Sequence, residues 1–135
     1  MRIILHEIEV MIQEKLVEIS DYVSKGIDNH PIIRINEADS YTFETPRDTG
    51  TGTNYKGMLF YDLSILRLTN LPAMAHDSLL FPYISDENIC RLLELYSKET
   101  TKQIFISFDH EDKYGKETKT LLQEHMVLKL DAEGD

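Results

Sequence analysis

Tryptophan is absent from the 135 residues, cysteine occurs once, and no apolar stretch approaches the roughly 18 residues that cross a bilayer. The lone Cys90 excludes an internal disulfide framework and fits a reducing, cytoplasmic setting. On a helix face with Leu93, it reads as a buried, unreactive thiol. Glu7 and Glu9 interrupt the first apolar residues, so the N-terminus is no signal-peptide core, and a membrane role is not expected. Positive charge is also short, with 14 Lys and Arg against 24 Asp and Glu and a formal net charge of −10. The basic residues are scattered, whereas binding to phosphate backbones needs them clustered, so this segment is not expected to bind nucleic acid directly. No Ser-His-Asp arrangement, zinc-ligand spacing or internal repeat stands out.

What is present is a globular composition, 41% hydrophobic and 28% charged, with seven Tyr and five Phe supplying the large apolar surfaces. Ile8, Ile12, Leu16, Ile19 and Val23 recur at helical spacing and predict an amphipathic helix over residues 1–25, stopped by Gly26. Two readings stand for it: a packed surface helix, or the returning end of a longer coiled coil. Pro31–Ile35 and Tyr41–Thr45 are β-branched or aromatic, with a polar turn between them, and predict a β-hairpin. A loop over Pro46–Thr53 should follow, and then, from Asn54, a helix apolar on nearly every side through Met58, Leu59, Leu63 and Leu66. Pro72–Ala75 reads as a short strand, and Ser85 as the cap of a helix running to Lys98. Gln103–Phe108 reads as a core strand, Thr118–His125 as a helix and Met126–Leu130 as a last strand. This alternation predicts an α/β fold: an N-terminal helix over residues 1–27, then a hairpin and a β-α-β-α-β unit with a mainly parallel sheet over 28–135.

Ligand chemistry in such sheets gathers beyond the C-terminal strand ends. The loop Thr49–Gly57 opens a helix, where free N–H groups and the dipole favour an anion, and Thr51, Thr53 and Lys56 add donors. It is no P-loop, because Met58 and Leu59 stand where Lys and Ser or Thr are required. A plain loop with Thr53 as helix cap fits the same residues. Asp77 ends an apolar strand, where a carboxylate can act as general base or hold a metal-bound water. His76 beside it faces the opposite way along the strand and reads as a satisfied structural histidine. Asp109, Glu111 and Asp112 form either a solvated acidic turn or, with Asp77, an oxygen-rich Mg²⁺ site.

The runs Tyr41–Pro46, Thr49–Gly57, Phe60–Leu63, Leu71–Ser78 and Gln103–Asp109 together resemble the domain of unknown function 2326 family, from about residue 30 to about residue 130. The resemblance implies the C-terminal lobe of an ABC-type ATPase head, as in proteins similar to SMC and RecN, with the P-loop on an N-terminal lobe beyond a long coiled coil. By position, Thr51, Gly52, Thr53, Asn54, Lys56 and Gly57 resemble the signature loop, which contacts nucleotide across a head dimer. Ala73–Ser78 resemble the Walker B strand, with His76 in the usual place of the metal-holding Asp and Asp77 in that of the catalytic Glu. Ser107–Asp109 resemble the switch strand, with Phe108 replacing its His. The expected partners are the P-loop lobe and a second copy, and ATP and Mg²⁺ are expected only in the assembled head. The chain alone is expected to be inactive. Two other readings remain: a self-contained Mg²⁺-dependent phosphotransferase or nuclease using Asp77, Asp109 and Asp112, and a non-enzymatic interaction module.

Overall fold

A computed structural model of the protein describes residues 1–130. Helix α1 spans Arg2–Ser24 and ends as expected, with Lys25 left-handed at φ 55° and Gly26 at φ 71°. A positive φ costs glycine nothing sterically, which is why the chain turns there. Ile12, Leu16, Ile19 and Val23 are buried, whereas Ile3, Ile4, Ile8, Val10 and Met11 stay exposed. The expected stripe therefore enters the core only from Ile12 onward, and the first two turns project from it.

Strands β1 (Ile32–Glu37) and β2 (Ser40–Glu44) form the expected antiparallel hairpin, with Ile33 opposite Phe43 and Ile35 opposite Tyr41. The free edge of β1 faces α1. There Gln13 accepts from the Ile33 N–H at 2.9 Å and donates to the Pro31 carbonyl at 3.0 Å, and Glu9 accepts from the Ile35 N–H at 2.7 Å. Side chains one helical turn apart thus satisfy backbone groups that a neighbouring strand would otherwise take.

Helix α2 (Thr51–Leu68) starts three residues before the expected Asn54, so the loop stops at Gly50, its N-cap. Asp48 explains the early start, because its carboxylate accepts from the Gly50 N–H and the Thr53 hydroxyl and so serves the first turn. Thr53 therefore lies inside the helix and does not cap it. Leu59, Phe60, Leu63 and Leu66 are buried, but Met58 is exposed, so α2 is not apolar on every side.

Strand β3 (Ala73–His76) pairs parallel with β4 (Gln103–Ile106) through α3 (Asp86–Ser97), which Ser85 caps by accepting from the Asn88 N–H. Arg91 of α3 donates to the Val23 carbonyl and so satisfies one of the last carbonyls of α1. Helix α4 covers Lys116–Glu124, two residues ahead of the expected start. The core joins α1, β1, α2 and α3 through Leu16, Ile19, Ile33, Leu63, Ile89 and Leu92. Each fully buried aliphatic side chain there contributes roughly 1.5–3 kcal/mol.

Two expectations need correction. Strand β4 stops at Ile106 and does not reach Phe108, and Met126–Leu130 form no strand, their side chains being exposed and their backbone without a strand neighbour among the described residues. The parallel unit is therefore β-α-β followed by a helix, with two strands among the described residues. Residues 131–135, part of the expected 28–135 lobe, lie outside them. Parallel sheets are normally covered on both faces. Here Met74, His76, Ile104 and Ile106 turn toward the core, while Ala75 and its register partner Phe105 are exposed on the other face.

Candidate functional site

The C-terminal ends of β3 and β4 bring together Asp77, Ser78, Ser107 and Asp109. Ser107 donates its hydroxyl to Asp77 at 3.1 Å and accepts from the Ser78 N–H at 3.0 Å. The Ser78 hydroxyl has both carboxylates within reach, Asp109 at 2.9 Å and Asp77 at 3.2 Å. With one proton to give, it bridges them in turn. Asp77 and Asp109 are exposed, so two carboxylates face solvent, held by two serines. Asp112, expected as a third member, pairs instead with Lys119, whose hydrogen bond and charge hold the Asp112 carboxyl below its ordinary range. Among the described residues no three His, Cys, Asp or Glu side chains converge on a metal position. Asp77 and Asp109 are therefore the two carboxylates these strand ends could offer to a cation.

His76 faces inward, as its strand position predicts, and is buried. Its Nε2 lies 3.0 Å from an Asp62 carboxylate oxygen of α2, and its Nδ1 lies 2.9 Å from the Tyr96 hydroxyl of α3. A carboxylate only accepts, so Nε2–H donates to it and Nδ1 accepts from the phenol. Burial, and then the Asp62 charge, raise the Tyr96 pKa well above the ordinary phenol value, so Tyr96 remains a donor. Both ring nitrogens are thus occupied, and His76 has none left for a metal. Asp62 and Tyr96 were not legible as site residues, because no motif joins positions on separate elements, and Ser107 stood out only as the first residue of the run that resembles the switch strand.

The six residues of the α2 start are placed unequally. Thr51 and Asn54 are exposed. Thr53 donates its hydroxyl to Asp48 at 2.7 Å, and Lys56 donates to Asp28 at 2.5 Å. A Cβ on Gly52 would lie 2.0 Å from the Tyr83 carbonyl oxygen, so this glycine allows backbone to approach backbone. Gly57 is buried against the Phe43 ring. An open cleft of about 400 Å³ lies here, lined in part by Asp28, Asp48, Lys56 and Asn88.

A second cleft, of about 310 Å³, borders Asp109 and includes Phe81, Phe108 and Tyr114. The Phe108 ring lies 4.9 Å from Phe81 and 4.8 Å from Tyr114, so it packs in an aromatic row. Cys90 is half-buried on α3, its sulfur 3.9 Å from Glu117.

The sequence profile of an uncharacterised protein conserved in bacteria (DUF2326) matches residues 16–135. The chain belongs to the DUF2326 family. A search among curated proteins gave no match. The DUF2326 chain is similar in fold to a solved structure from work on ATP-driven dimerization and DNA-stimulated activation of SMC ATPases, with a TM-score of 0.61 over 82% of this chain and 74% of that one. Identity is 14%, so the likeness is one of fold. Among the described residues no helix is long and apolar enough to cross a membrane.

Proposed function

We propose that this DUF2326 chain is the C-terminal lobe of an SMC-type ATPase head and turns over ATP only when a P-loop lobe completes it. The observation that carries this reading is the β3–β4 sheet. Among the described residues neither strand has a second strand neighbour, and Ala75 and Phe105 are exposed on the outer face. A parallel sheet in that condition calls for more strands and a covering layer from elsewhere. The fold likeness to an SMC ATPase structure agrees with this.

The residues then divide the work. Asp77, exposed and accepting from Ser107, is the catalytic carboxylate that orients and deprotonates the attacking water. Asp109, joined to it through Ser78, would with Asp77 help hold Mg²⁺, which would neutralise developing phosphate charge. Thr51, Gly52, Thr53, Asn54, Lys56 and Gly57 form the nucleotide-facing start of α2. Within it Gly52 and Gly57 hold the helix in place, and Thr51, Asn54, Thr53 and Lys56 supply donors. Nothing in this set wraps a triphosphate, so the P-loop lobe must bind it. ATP and Mg²⁺ therefore belong to the assembled head.

The test is ATP turnover by the chain alone and with a P-loop lobe, alongside hydrogen exchange of the two strands. The chain alone should match a buffer blank. Addition of the lobe should protect the amides of residues 73–76 and 103–106, and Asp77→Asn should permit assembly while turnover falls by roughly 100-fold or more. Turnover by the chain alone on the order of 1 per second, abolished by Asp77→Asn, would overturn the reading.

A further inference from the structure

We infer that the aromatic cleft beside Asp109 is a docking pocket for one arginine side chain of a partner protein. The inference goes beyond the proposed ATPase reading and does not depend on it. The cleft holds about 310 Å³, at the low end for small-molecule pockets and suited to a single long side chain. Phe108 packs between Phe81 and Tyr114, yet Phe108 and Tyr114 stay half-buried, and Leu79 on the rim is exposed. Aromatic surface left open in this way is where a planar cation stacks.

Two carboxylates border the same rings, Asp86 in the first turn of α3 and Asp109 just beyond β4. The neighbouring cations are committed elsewhere, Arg91 to Glu87, Lys119 to Asp112 and Lys129 to Glu111. Lys113 and His110 also line the cleft, but among the described residues no ion pair joins either of them to Asp86 or Asp109. Asp109 accepts from Ser78 through one oxygen, which leaves the other open. The Tyr114 phenol registers this imbalance. Burial first, and then the charges of Asp86 and Asp109, raise its pKa above the ordinary value, so the aromatic wall lies in a negative potential. Open rings beside unneutralised carboxylates are complementary to a guanidinium. Its plane stacks on a ring while its five donors serve two carboxylates, which a compact ammonium does less well. Arginine is also one of the residues that concentrate binding energy at protein interfaces.

The experiment is a titration of the isotope-labelled chain with N-acetyl-arginine amide at low salt, followed by amide NMR shifts. The shifts should saturate and be largest at Leu79, Phe108, Asp109 and Tyr114. The citrulline analogue keeps the shape without the charge and should bind about fivefold or more weaker. The lysine analogue keeps the charge without the plane and should also bind more weakly. Asp86→Asn/Asp109→Asn should weaken the arginine probe by about fivefold or more. Glu37→Gln/Asp39→Asn makes the same change in net charge at the hairpin turn and should leave its affinity unchanged. Equal affinity for either analogue, an equal loss in the hairpin control, or shifts that do not saturate at the cleft overturns the inference. Free L-arginine carries its own carboxylate and should bind more weakly than the amide. Tighter binding by it would assign the cleft to the amino acid and overturn the docking role. Should the double variant fail to fold by circular dichroism, Asp86→Asn alone must still weaken binding. These titrations use neither nucleotide nor P-loop lobe, so their failure is separable from failure of the proposed function.

Discussion

The Tyr96 hydroxyl of α3 donates to His76 Nδ1 at the end of β3 across 2.9 Å, which ties the strand that carries Asp77 to the helix behind it. Removing the donor leaves a buried ring nitrogen without a partner. Tyr96→Phe should therefore cost about 1–3 kcal/mol, read from urea unfolding. His76→Asp should cost more, because it sets a second carboxylate beside Asp62 in a buried slot. An unchanged midpoint for Tyr96→Phe would show that the bond carries no net stability.

Gly52 should tolerate no side chain. With Tyr83 carbonyl oxygen 2.0 Å from the position of a Cβ, Gly52→Ala must push α2 off the segment before α3. The expected loss is about 1–3 kcal/mol, whereas Thr51→Ala, at an exposed neighbour, should stay within about 0.5 kcal/mol. Denaturant titration of the two variants side by side decides this. A Gly52→Val variant would on these grounds report on packing before it reports on nucleotide contact.

Helix α1 should behave as two halves. Leu16→Ala, at a fully buried position, should destabilise by about 2–5 kcal/mol, and Ile4→Ala, on the exposed part, by less than about 0.5 kcal/mol. Hydrogen exchange should show the same division, with residues 12–24 protected and the first turns open. Equal effects at both positions would place the whole helix in the core or the whole helix outside it.

Acid should weaken the start of α2. The Asp48 carboxyl ionises below its ordinary pKa of 3.8 because Thr53 and Gly50 donate to it, so its contribution is complete above that value. As pH falls below 3.8 toward the depressed folded value, the unfolded chain takes up the proton first and the stability is lost. Asp48→Asn should lower the neutral region of the stability curve, converge with the parent in acid and so flatten the acid limb in that window. A parallel acid limb in both proteins would contradict the assignment.

Legibility in the sequence followed locality. The α1 stripe, the hairpin and the Ser85 cap repeat at fixed short spacings, so the residues themselves announce them. The start of α2 was missed because its cap support, Asp48, precedes the helix and acts through a side chain, not through period. Met126–Leu130 has a strand composition, but a strand exists only with a neighbour, and residue types do not supply one. Asp77 was legible as a carboxylate at a strand end, and its neighbour His76 as structural. The groups that hold them, Asp62, Tyr96 and Ser107, lie on other elements and meet only on folding.

Gln13 and Glu9 give α1 a fixed register against β1. One helical turn rises 5.4 Å, and two strand residues span about 6.6 Å, near enough for two successive side chains to serve Ile33 and Ile35 together. A slip of the helix along its axis would strand both N–H groups at about 1–3 kcal/mol each. The helix is thereby barred from sliding, and a pull or torque on its projecting end passes into the hairpin as a movement of the whole lobe.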